Sequence, residues 1–187
     1  MERSGAALFL ASLLLLGGLP GAGYRSLPSA EAAQKAAPAA GNAWEMPAFR
    51  LQGLDGAWHR LDEWRGRVIL LNFWASWCAP CQYEIRELVG YQSRLGGRGL
   101  QILGLGVDEP RRLKNVARTL GINYPVLIAD PTGNGKLMRQ WGNRTGVIPY
   151  NVVIARDGRI AFVHRGPLDR ETFERRILPL LDGGIDD

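Results

Sequence analysis

The chain has 187 residues, 46% hydrophobic and 22% charged, enough for one globular domain of ordinary size plus a targeting or tethering segment. Its net charge of +5 does not describe a nucleic-acid binder, because no Lys/Arg run exceeds two residues (Arg111-Arg112, Arg175-Arg176) and acidic side chains are interspersed. The 2 cysteines share a single Cys-x-x-Cys and the 2 histidines, His59 and His164, stand far from it, which excludes a disulfide framework and offers no ligand cluster for a metal.

Residues 1–23 begin with Met1-Glu2-Arg3, continue in an uncharged apolar run over 5–19 and end in Pro20-Gly21-Ala22-Gly23. The run suits the hydrophobic region of a signal peptide and is short for a membrane span. Gly21-x-Gly23 is a weak cleavage site, so the segment reads as a signal peptide or an N-terminal membrane anchor. Either places the remainder in the periplasm or on the outer face of the cytoplasmic membrane. Residues 24–43, rich in Ala and Pro, lack the bulky apolar side chains needed to offset ordering entropy and read as a flexible linker.

Residues 44–187 have the character of a folded domain. Segments 49–51 and 58–61 predict a hairpin closed by Asp55-Gly56. Residues 67–74, Arg-Val-Ile-Leu-Leu-Asn-Phe-Trp, predict a central strand buried on both faces.

Cys78-Ala79-Pro80-Cys81 follows that strand closely and opens a helix predicted over 79–95, with an apolar stripe through Cys81, Ile85, Leu88/Val89 and Leu95 and a stop at Gly96-Gly97. A thiol at a helix N-terminus meets the positive end of the peptide dipoles and unpaired N–H groups, and both favour the thiolate. Cys78 is therefore the expected nucleophile and Cys81, one turn further in, the resolving thiol. Pro80 is tolerated because the first turn has no N–H partner to lose. Glu84 lies three residues beyond Cys81 on the same face. It is either a desolvated carboxylate able to exchange protons with Cys81 or a solvated surface group, and spacing alone does not choose.

Further on, the pattern predicts a buried strand (99–107), a helix (110–120), a short strand (124–129), a short helix (135–141), a strand (150–155), an Asp157-Gly158 turn, a strand (159–164) and a closing helix (170–181). This alternation argues an α/β protein with a mixed central sheet. Gly104-x-Gly106 lacks the third glycine of a dinucleotide fingerprint. In the 133–136 segment Asp130 occupies the place of the first glycine of a phosphate loop. Asn143-Arg144-Thr145 is a formal glycosylation sequon of the kind that arises by chance.

Asn72-Phe-Trp-Ala-Ser-Trp-Cys-Ala-Pro-Cys-x-x-Glu84 resembles the active-site segment of thioredoxin-like thiol–disulfide oxidoreductases, in particular the exported TlpA/ResA type that includes reductases of cytochrome c maturation. Met46-Pro-Ala-Phe49, Leu54-Asp-Gly56, Arg65-Gly66, Gly146-Val-Ile-Pro149, Asp157-Gly158 and His164-Arg-Gly-Pro-Leu168 extend the likeness. The resemblance implies a thioredoxin fold with an N-terminal β-hairpin extension and a helix–strand insertion over about 108–141. It further implies a cis-proline at Pro149, an Ile148 backbone that pairs with an extended substrate segment, and proton transfer by Glu84. Trp77 adjoins Cys78, where it can pack a substrate, whereas Trp74 reads as core. Asn72 stands where plain thioredoxins carry a buried Asp, leaving Glu84 as the sole proton relay. Arg86 replaces a common helix-kinking proline, and Tyr150-Asn151 depart from the Thr-rich sequence expected on the substrate side of the groove.

The expected activity is disulfide reduction in exported proteins, with no cofactor beyond the Cys78–Cys81 pair and with electrons from a membrane dithiol donor. A disulfide-donating oxidase and a non-catalytic binding module are the alternatives. A thiol peroxidase would need a Thr-x-x-Cys that is absent, since residue 75 is alanine.

Overall fold

The computed structural model describes residues 47–183. The readings of 1–23 and 24–43 lie outside that range, as do Trp44 and Met46.

Strands β1 (Arg50–Gln52) and β2 (Trp58–Arg60) pair antiparallel, Leu51 opposite His59. Gly56, at φ 89°, takes the left-handed conformation the turn requires, and the Ala57 N–H donates to Asp55 Oδ1 at 3.0 Å. Leu61 does not extend β2 as predicted. It is buried at the head of a 3-10 turn over Leu61–Trp64.

The main sheet contains β3 (Val68–Trp74), β4 (Leu100–Gly106), β5 (Val126–Ile128), β6 (Tyr150–Ile154) and β7 (Ile160–Arg165), in the order β5-β4-β3-β6-β7. β3 runs parallel to β4, and β4 to β5, while β6 is antiparallel to β3 and β7 to β6. Every residue of β3, β4 and β6 is buried, as central strands covered on both faces require. Side chains alternate between two cores. Ile69, Leu71, Phe73, Val152 and Ile154 belong to one, while Val68, Leu70 and Val153 join helix side chains on the other.

Helix α1 (Ala79–Leu95) crosses from β3 to β4 and buries Cys81, Ile85, Leu88, Tyr91 and Leu95. It has the predicted bounds, but its stop differs. The chain tightens into a 3-10 turn over Gly96–Arg98, and the left-handed residue that ends it is Gly99, at φ 99°.

Helix α2 (Pro110–Thr119) drops Leu113 onto Gly106, where an added Cβ would collide with the Leu113 methyl groups. A short α3 (Lys136–Gln140) precedes β6. The single closing helix expected over 170–181 is two: α4 (Arg170–Arg176) and α5 (Leu178–Asp182), separated at Ile177. Pro179 has no N–H to donate back into the preceding turn, and its ring crowds the carbonyl there. α4 still docks on α1, with the Tyr91 and Phe173 rings stacked at 3.6 Å between centroids.

Candidate active site

Cys78 is the N-cap of α1, and its sulfur accepts the Cys81 N–H at 3.2 Å. The two sulfurs are joined as a disulfide. Cys78 retains 5% exposure and Cys81 none, so Cys78 is the more accessible sulfur of the pair. Both pack with Trp74, Ala75, Ile85, Leu113 and Val126. Trp74 is fully buried, as expected of core, whereas Trp77 is 69% exposed beside Cys78.

The turn carrying the pair is tied from two sides. Gln82 Nε2 donates to the Ser76 carbonyl at 2.6 Å, and Ser76 Oγ donates to Asp108 Oδ2. Asp108 also accepts the Glu109 N–H at 2.7 Å. Burial alone would raise the Asp108 pKa, but these bonds and Arg112 outweigh it and hold the carboxyl below its ordinary value.

Glu84 is 1% exposed, which removes the solvated-surface alternative. Its Oε2 accepts Asn72 Nδ2 at 2.7 Å, and its Oε1 accepts both Asn151 Nδ2 and the Leu168 N–H at 2.7 Å. Burial dominates and pushes its pKa up to about 7, although all three hydrogen bonds favour the charged form. A carboxyl poised there is suited to taking and returning protons near neutrality.

The Ile148–Pro149 peptide is cis, and Ile148 packs against the cluster that holds both cysteines. Tyr150 and Asn151 face the protein interior rather than solvent. Both are buried; Tyr150 Oη donates to the Trp141 carbonyl at 2.8 Å, and Asn151 turns inward to Glu84. The roles of Asn151 and the Leu168 N–H escaped the sequence reading, and the only hint was a polar residue inside an apolar β-run. Asn143 is 1% exposed and donates to the Val147 carbonyl at 2.7 Å, so the sequon is a loop clamp rather than a glycan acceptor.

A mixed sheet with a Cys-x-x-Cys at the mouth of its first crossover helix and a cis-proline loop beside it defines a thioredoxin-like thiol–disulfide oxidoreductase, whose redox group is the cysteine pair itself. The chain belongs to the AhpC/TSA family, whose model matches residues 43–163. It is 35% identical over 182 residues to the thiol:disulfide interchange protein HelX of Rhodobacter capsulatus, covering 96% of this chain and 98% of that protein. It is 28% identical over 145 residues to the thiol-disulfide oxidoreductase ResA of Geobacillus thermodenitrificans, covering 77% and 79%. Among solved structures, a thioredoxin-family thiol:disulfide interchange protein from Chlorobium tepidum matches at TM-score 0.64 and 30% identity, over 73% of this chain and 94% of that one. A secreted thiol-disulfide isomerase from Corynebacterium glutamicum matches at TM-score 0.66 and 25% identity, over 73% and 85%.

Proposed function

We propose that this oxidoreductase works as a dithiol reductase of exported proteins, with Cys78 as nucleophile, Cys81 as resolving thiol and Glu84 as proton carrier. The observation that carries the assignment is the Cys81 N–H directed at Cys78 Sγ from the first turn of α1. The same donor and the helix dipole stabilise negative charge on that sulfur once the disulfide is open.

In the reduced protein the Cys78 thiolate attacks a substrate disulfide. A mixed disulfide forms, and the first substrate thiolate leaves and is protonated. Glu84 then accepts the Cys81 proton, the Cys81 thiolate attacks Cys78 Sγ, and the second substrate thiolate departs, taking the proton from Glu84. Two electrons and two protons pass to the substrate, and the Cys78–Cys81 disulfide is left for a membrane dithiol donor to reduce.

The substrate segment lies along Ile148 and Pro149 as an added strand, with Trp77 packed against it. Among the described residues no backbone hydrogen bond uses the Ile148 N–H, which leaves it open to such pairing. Residues 1–23 export the domain, and where uncleaved tether it to the membrane through the 24–43 linker. Apocytochrome c, whose haem-attaching Cys-x-x-Cys-His supplies a vicinal pair, is a substrate that suits this chemistry.

Equilibration of the 44–187 domain with glutathione buffers tests the direction. A potential of about −250 mV or lower supports the reductase, and one near −120 mV identifies an oxidase. Cys81→Ala accumulates mixed disulfides through Cys78. Capture of the same partners by Cys78→Ala would reverse the assignment of roles.

A further inference from the structure

Beside Cys78 lies a groove of about 340 Å³, bounded on one side by Trp77 and Ile148 and on the other by the loops around α3. Val107, Met138 and Ile148 supply apolar wall, and two guanidinium groups, Arg139 and Arg144, stand in it. Among the described residues Asp130 is the one acidic side chain in the lining, and it is buried. Its carboxylate is occupied by the Gly135 N–H, the Thr132 N–H and the Thr132 hydroxyl, within the loop itself. Arg139 is held in place by donating Nη1 to the Asn134 carbonyl at 2.7 Å. Arg144 is exposed and has no acidic partner among the described residues. Asn143, clamped to the Val147 carbonyl, fixes the loop that presents it.

We propose that this groove docks the polypeptide flanking the target disulfide and selects segments that carry carboxylates next to the reacting cysteine. The inference rests on the exchange reading above and adds to it a substrate class. Three features carry it. The groove is continuous with the cysteine pair through Trp77 and Ile148, the latter packed on the cluster containing Cys78. Its floor is apolar enough to accept side chains of an extended chain. Its fixed charge is positive on the rim, and the acid among its described lining residues, Asp130, is already hydrogen-bonded within its own loop. Complementary charge at such a rim acts mainly on encounter and register, and is screened by salt.

The test follows single-turnover oxidation of the fully reduced protein by three disulfides at low ionic strength. Two are peptides closed by one Cys–Cys bond and flanked by either glutamates or lysines, and the third is neutral hydroxyethyl disulfide. The Glu-flanked peptide is expected to react roughly tenfold faster than the Lys-flanked one, with the ratio shrinking as salt is added. Arg144→Glu, at an exposed loop position, should remove or invert the preference while leaving the hydroxyethyl disulfide rate within about twofold of wild type. Arg139→Gln should lower the preference about threefold. Equal rates for the two peptides in the wild type, or a ratio untouched by Arg144→Glu, would overturn the docking proposal and leave the exchange reading standing. Failure to react with hydroxyethyl disulfide would overturn the exchange reading and the docking proposal with it.

Discussion

Asn72 and Asn151 stand directly opposite each other on β3 and β6, and both amides donate to the same carboxylate, that of Glu84. Asn72 Nδ2 also donates to Asn151 Oδ1 at 2.9 Å, so the two amides orient one another. Burial drives the Glu84 pKa upward and the donors restrain it, so the pair sets where the carboxyl titrates as well as where it sits. Asn151→Leu removes one donor in nearly the same volume. The Glu84 pKa should rise further, and the alkaline rise of the Cys81 resolving step should move up with it. A pH profile of that step superimposable on wild type would show that the amide does not tune the acid. Loss of a buried hydrogen bond should also cost about 1–3 kcal/mol of stability.

Glu84 makes stability depend on pH in a stated direction. Its folded pKa, about 7, lies above its ordinary value of 4.5, so the folded state holds the proton more tightly than the unfolded chain. The associated stabilisation is fully present below pH 4.5 and is lost as pH rises through 7, a swing of about 3 kcal/mol at roughly 1.4 kcal/mol per pKa unit. Glu84→Gln removes this titration. Urea unfolding of the oxidised forms at pH 5 and pH 8 should show wild type losing stability relative to the variant across that interval. The variant should resolve mixed disulfides roughly a hundredfold more slowly. Parallel stability profiles would mean the carboxyl is not held protonated in the fold.

Much of the frame was legible because its signals are local. Pro80 and the 96–99 glycines bracket α1, and apolar runs, each interrupted by a single polar residue (Asn72, Gln101), mark β3 and β4. The placement of Cys78 and Cys81 followed from a motif at a helix mouth. The break at Ile177 was also written locally, in Pro179, but an amphipathic stripe that continues across the proline masks it. The Glu84 cradle is different in kind. Asn151 and Leu168 lie 67 and 84 residues from Glu84, so only strand register and the β7–α4 loop bring them to it. No spacing rule carries that information. The resemblance pointed to Glu84 as a proton carrier, whereas its partners emerge only from the folded sheet.

The hairpin contains a second titration of the opposite chemical type. His59 Nδ1 lies 3.0 Å from Glu63 Oε2 and its Nε2 3.3 Å from Asp55 Oδ2, with the ring stacked on Trp64. The Glu63 hydrogen bond, aided by Asp55, raises the His59 pKa above 6.5 against the effect of burial. The stabilisation is therefore fully present below pH 6.5 and fades as pH rises through the folded pKa. Leu54 donates its N–H to the Val126 carbonyl at 2.9 Å, so this arm closes the edge of the sheet at β5. Amide hydrogen exchange at Leu54 should quicken between pH 6 and 8 beyond the intrinsic base dependence, and His59→Phe should abolish that excess. An identical excess in the variant would place the cause elsewhere.

Asp108 offers the last test, because it reaches the active-site turn from the start of the insertion without belonging to the cysteine motif. Its carboxylate receives the Ser76 hydroxyl and the Glu109 N–H, and the Val107 N–H adds a bond to the Trp74 carbonyl at 2.9 Å. Together these join the β4–α2 loop to the turn that delivers Cys78. Asp108→Ala frees the Ser76 hydroxyl and loosens that turn, so mixed-disulfide formation at Cys78 should slow roughly three- to tenfold through lost preorganisation. Asp108→Asn keeps an oxygen acceptor of similar shape and should retain most of the rate. The depressed Asp108 pKa adds stability that is present above pH 3.8 and lost as pH falls through the folded value, so both variants should unfold less steeply than wild type on acidification. If Asp108→Ala formed mixed disulfides at the wild-type rate, the insertion would have no hold on Cys78.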